Sequence, residues 1–235
     1  MKRNQNQNGF SFVEILLSLF IGVLLLGAIY SSMATGQKSS VAIERKVAAQ
    51  QDIRAALQIM NLECAMASFN SQFTPGIWVD SDNCTSSLAQ GNKGIEEATA
   101  DGNNLTIQMD LNASGKIGDH ENEVIRYSYD PNNERLTRER VLCGIVRSTT
   151  GAVDFLGADP NAGQPRTVRV INNRLGIPVF RYFDGRGLAT TAIPDIRRVD
   201  ITRAVETEEV DANTGQRRQM IYSSSAIPRN HAINP

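Results

Sequence analysis

Gly9-Phe10-Ser11-Phe12-Val13-Glu14-Ile15-Leu16-Leu17 is the stretch at which a short polar, basic start, Met1 to Gly9, gives way abruptly to apolar sequence. The apolar run continues to Tyr30, and Glu14 is its only charged residue over 21 positions. At about 1.5 Å of rise per residue, a helix of that length crosses a bilayer core of about 30 Å. Lys2 and Arg3 would hold the short leader on the cytoplasmic side. An unpaired acid near one end of such a helix costs on the order of 2–3 kcal/mol, so Glu14 asks for a partner. Two general readings account for part of this. A secretory signal would have a shorter apolar run and a small-residue cut site, for which Ser32-Met33-Ala34 could serve. A plain signal anchor explains the length, but gives no reason for Gly9 at the edge or for Glu14 five residues later.

A third reading accounts for all of these features together. Gly9-Phe10-Ser11-Phe12-Val13-Glu14 resembles the prepilin peptidase site of type IV pilins and type II secretion pseudopilins. The resemblance implies cleavage between Gly9 and Phe10 and N-methylation of Phe10. Phe10 would then begin the mature chain, and Glu14 would lie about one helical turn from the new positive amine. In the family this acid is thought to neutralise the N-terminus of a neighbouring subunit in the filament core, so its desolvation is offset only on assembly. Major pilins often carry a proline that loosens the helix where Ser31 stands here, between Gly27 and Gly36, so no melted segment is implied.

Beyond Tyr30 the sequence is polar yet suited to helix. Apolar side chains recur at Ile43, Val47, Ile53, Leu57, Met60 and Cys64, near the three-four spacing of an amphipathic face. The expectation is an α+β, pilin-like fold. One long helical spine, transmembrane and then amphipathic, packs against an antiparallel sheet. The segments expected are a leader over 1–9, a membrane or filament-core helix over 10–30, its amphipathic continuation over 31–69, and a β-rich domain outside the cytoplasm over 70–235. Strands are expected near Leu105–Leu111, Glu123–Asp130, Arg135–Leu142, Thr167–Ile171, Val179–Asp184, Arg197–Glu206 and Gln219–Ser224, with Asp130-Pro131-Asn132-Asn133 as a hairpin turn.

In the C-terminal half, Phe180-Arg181-Tyr182-Phe183-Asp184-Gly185-Arg186-Gly187, Ile196-Arg197-Arg198-Val199-Asp200-Ile201 and Ile227-Pro228-Arg229-Asn230 are similar to PilW-type minor pilins and J-type pseudopilins. Read on their own, these motifs are a strand, a glycine-permitted turn, another strand and a docked tail.

Composition narrows the function. The chain has 235 residues, 41% of them apolar and 21% charged, room for an anchor, a long helix and one domain of ordinary size. Removing Lys2 and Arg3 from the 24 basic residues leaves 22 against 25 acidic ones, so there is no global attraction to nucleic acid. The arginines that could face DNA at a filament tip are Arg138, Arg140, Arg197, Arg198, Arg217 and Arg218. They are interleaved with Glu139, Asp195, Asp200 and Glu206, a mixed-charge face without stacking aromatics. No Walker A, G-x-S-x-G or H-E-x-x-H pattern occurs, and the two histidines, His120 and His231, offer no evident triad. The chain is read as a non-enzyme.

Two local features carry chemistry of their own. Cys64, Cys84 and Cys143 form no CxxC pair. Outside the cytoplasm two can bond, and Cys64 with Cys84 closes the shortest loop; three buried thiols are the alternative. Asp110 to Glu121 fits a twelve-residue calcium loop, with ligands from Asp110, Asn112, Ser114, the Lys116 carbonyl and Glu121, and Gly115 at the turn. A solvated hairpin connection fits the same residues. No cofactor is required; a calcium ion is the one candidate.

The resemblance implies a minor pilin that helps initiate or cap a type IV pilus. Its partners would be other minor and major pilins, the prepilin peptidase and the cytoplasmic (inner) membrane, which it crosses once with its domain outside, with no small-molecule substrate. The alternatives are a pseudopilin of a type II secretion pseudopilus and a tip module that binds DNA or surfaces.

Overall fold

The computed structural model describes residues 9–85, 94–144, 147–158, 168–211 and 214–231. The expected leader, apart from Gly9, and Thr167 at the head of an expected strand lie outside these. A single α-helix, α1 (Phe12–Met66), runs for 55 residues. Ser11, in extended conformation, is its N-cap. The Glu14 carboxylate reaches back to accept the Ser11 N–H at 2.8 Å, satisfying one of the donors that a helix start leaves orphaned.

Two antiparallel sheets follow the helix. The first carries β1 (Ile95–Ala98), β2 (Asn104–Gln108), β3 (Val124–Asp130) and β4 (Arg135–Cys143) in meander order. The far edge of β4 is shared by β5 (Arg147–Thr149) and β6 (Val153–Leu156). The second sheet centres on β9 (Arg198–Thr207), with β10 (Gln219–Ala226) along one edge. β7 (Val168–Val170) and β8 (Phe180–Phe183) divide the other.

Both sheets close on one core. Ile53, Leu57, Met60 and Cys64 of α1 meet Leu105, Ile107, Ile125 and Leu136 of the first sheet and Phe180, Val199, Ile201 and Val205 of the second. The strands alternate, as one-sided burial requires: Val199, Ile201, Arg203 and Val205 point inward along β9. The helical stripe divides where the sheets end. Ile53 to Cys64 are buried, whereas Ile43 and Val47 remain exposed. The α+β architecture of one long apolar N-terminal helix against antiparallel sheets is the expected one. β1, β5 and β6 were not anticipated; they are three to four residues long and carry Glu96, Glu97, Arg147 and Asp154, so they lack the apolar alternation by which strands are read.

The disulfide differs from the expectation. Cys84 bonds Cys143, with a Cα–Cα distance of 5.4 Å, and Cys64 is free and buried. Loop length was the wrong criterion, because the 77–85 segment packs against the end of β4 and brings residues 59 apart together. Cys64 faces the sealed core from α1, where burial, aided by the neighbouring Glu63 charge, pushes its thiol up to about 12. The bond pins the 77–85 segment over a small satellite core of Ile77, Ile117, Val124 and Val141. Gly118 lies against it. A Cβ there would stand 2.8 Å from that of Cys143, and its φ of 81° suits glycine.

Candidate functional site

The residues expected to serve processing and assembly lie at the bare end of α1. Phe10 is 85% exposed, and nothing lies within 4 Å of where a Gly9 side chain would sit. From Phe12 to Tyr30 the helix presents Phe, Leu, Ile and Val on all sides, and none of its most apolar stretch is buried within the chain. A helix apolar all round and covered by nothing is built for a lipid or protein environment. Its length and composition suffice to cross a membrane. Residues 4–30 match the family described as the prokaryotic N-terminal methylation motif. Over this N-terminal segment the match supports a type IV pilin-like protein. No curated protein and no solved structure matches the chain.

Glu14 is engaged with its own helix start, at the residue next to Phe10. The carboxylate is therefore held beside the place where cleavage after Gly9 would leave an amine. The C-terminal motifs serve the fold. Phe180 to Phe183 form β8, and Asp184 accepts the N–H groups of Arg186 and Leu188 to close the turn. The tail docks beneath the end of α1. His231 donates from Nε2 to the Ile193 carbonyl at 2.7 Å and accepts at Nδ1 from the Ser68 hydroxyl at 2.8 Å, and Arg229 N–H bonds the Ala65 carbonyl.

Of the five expected calcium ligands, Asp110, Asn112, Ser114 and the Lys116 carbonyl lie close together, and Glu121 stands apart. Both Asp110 oxygens accept backbone N–H groups, from Ser114 and Gly115, and Asn112 Oδ1 accepts the Ser114 N–H as well. The Lys116 carbonyl accepts the Ser114 hydroxyl at 3.3 Å. Glu121 turns outward to Arg140 at 2.7 Å and is 58% exposed. The residue that organises the loop is one that sequence reading passed over, Glu123, which is fully buried and accepts N–H groups from Leu111, Asn112, Gly118 and His120. Burial pushes its carboxyl above the usual carboxylate range. Four backbone donors on one carboxylate fold the β2–β3 connection on itself.

The candidate basic face is internally neutralised. Arg138 bonds Glu63 at 2.7 Å, Arg140 bonds Glu121, Arg198 forms an ion pair with Asp200 at 3.0 Å and lies over the Phe183 ring, and Arg218 lies 4.0 Å from Asp211. Arg197 and Arg217 donate to backbone carbonyls of Pro194, Ile196 and Glu208. These contacts hold β4, β9 and the β9–β10 turn; they do not form a continuous cationic surface.

Proposed function

We propose that this chain is a minor pilin, a structural subunit that helps initiate or cap assembly of a type IV pilus and does no chemistry itself. The observation that carries the reading is the N-terminus. A methylation-motif match over residues 4–30 falls on a helix whose first half is wholly apolar and uncovered, with Glu14 poised at its start. In this reading the peptidase cuts between Gly9 and Phe10 and Phe10 is methylated. The helix crosses the inner membrane once, with the β-rich domain outside. Neighbouring subunits pack laterally through Phe10 to Tyr30, and Glu14 exchanges its own Ser11 N–H for a neighbour's terminal amine. That exchange offsets burying the carboxylate and ties membrane exit to register. The free β domain supplies contacts to sibling subunits. The same N-terminus serves a type II secretion pseudopilin, and genes flanking this one, pilus-type or secretion-type, separate the two systems.

The test is piliation. Deleting the chain should strongly reduce the number of filaments, while filaments sheared from the wild type contain it far below the abundant subunit. Unchanged piliation without it, or its dominance in sheared filaments, would remove the minor-pilin role.

A further inference from the structure

The sheet edges of this chain are guarded unequally. An exposed edge strand offers a row of unpaired N–H and C=O groups to any other strand, and proteins blunt such edges with short strands, charges and proline. β1, β5, β7 and β8 follow that practice: each is three or four residues long and carries Glu96 and Glu97, Arg147, Arg169 or Arg181. β10 does not. Its eight residues, Gln-Met-Ile-Tyr-Ser-Ser-Ser-Ala, hold neither charge nor proline, and extend about 26 Å. They pair in unbroken register with β9 alone, from Gln219 opposite Glu206 to Ala226 opposite Val199. Alternate backbone groups of β10 face away from β9, and among the described residues no backbone or side-chain group bonds them. Even its inward side chains Met220, Tyr222 and Ser224 are only partly buried, the mark of an open rim.

We propose that β10 is a docking edge that accepts an extended, uncharged strand from the soluble domain of a different pilin-like subunit. The proposal rests on the filament reading above. A second copy of this chain is a poor occupant on geometric grounds. Antiparallel self-pairing of β10 places the two-fold axis normal to the sheet, and the helix packed on that sheet would reverse between copies, pointing two anchors in opposite directions. Copies anchored alike would have to offer another edge, and the others described are short and charged. A sibling subunit of different sequence meets both conditions. Main-chain bonds would supply affinity, and exposed Ile221 would select an apolar neighbour on the outer face.

Hydrogen–deuterium exchange of the full-length chain, in detergent micelles and in filaments sheared from cells, tests this. The expected result is that outward amides of 219–226 exchange freely in micelles and slow by about tenfold or more in filaments. Ile221→Lys, on an exposed side chain, should leave the melting temperature of the chain unchanged yet reduce its incorporation by about tenfold or more. Incorporation with equal exchange in both states, or normal incorporation of the lysine variant, would overturn the docking edge and leave the filament reading standing. Slowing that grows with concentration of the chain alone in micelles would overturn the sibling-subunit assignment in favour of self-pairing. Failure of the wild type to enter filaments at all would overturn both.

Discussion

Arg203 brings its guanidinium fully into the core between α1 and β9, where among the described residues no carboxylate pairs with it. It donates to the Thr202 carbonyl at 3.2 Å and to Met60 Sδ at 2.9 Å, and lies 5.2 Å from the Phe180 ring centre, while Nε has no partner. Burial pushes it down to about 9, which still leaves it charged at neutral pH. Cationic sulfur and ring contacts do not offset the desolvation of a full charge, so Arg203→Met, of similar length, should stabilise the chain by about 1–3 kcal/mol. Chemical denaturation measures this, and a loss of stability would show that the core needs the charge. Glu96 gives a pH-dependent counterpart. It accepts from Ser81 and Gln108, yet burial prevails and raises its carboxyl above the usual range. A raised acid binds its proton more tightly in the folded state. Its contribution is therefore most favourable below the unfolded value and is lost as pH rises through the folded one. Glu96→Gln should remove that decline, visible as a flatter dependence of stability on pH in the variant than in the wild type as pH rises through the raised value. An unchanged slope would contradict the assignment.

The Cys84–Cys143 bond connects a loop to the end of β4 and closes 59 residues of sequence separation, which in the chain-entropy account contributes about 4 kcal/mol. Cys84→Ser with Cys143→Ser should lower stability by about 2–4 kcal/mol, whereas Cys64→Ala should leave the disulfide mass intact. Loss of the bond in the Cys64 variant would restore the expected Cys64–Cys84 pairing. The β2–β3 connection predicts a second null. With Glu121 held by Arg140 and the inner oxygens holding N–H groups, millimolar calcium should leave the melting temperature unchanged within about 1 °C. A rise would mean that Glu121 leaves Arg140 for an ion. These two elements also show how far sequence reading reaches. Seven strands with clear apolar alternation were legible, as was the long helix, because period and length speak locally. The three charged strands, the disulfide partner and the inward turn of Glu123 were not, because each is fixed by contacts between segments that local sequence does not carry.

At the scale of the whole chain, one end is apolar with nothing to cover it and the other is a closed two-sheet domain, and Glu14 is where the two demands meet. Alone, it is satisfied by the Ser11 N–H at 2.8 Å; in a filament it would serve a neighbour. Glu14→Ala should therefore insert and be cleaved normally, but enter filaments on the order of tenfold less, as read by immunoblot of sheared material. Equal entry would detach Glu14 from assembly. The processing residues are read from sequence alone, where the proposed chemistry rests on contiguous side chains.

The claim on which the rest depends is cleavage after Gly9, and it is read most directly from the intact mass and N-terminal residue of the chain recovered from membranes, with and without the prepilin peptidase. A methylated Phe10 that requires the peptidase is the result this account predicts. A start at Thr35, or an uncut Met1 with the peptidase present, would contradict it.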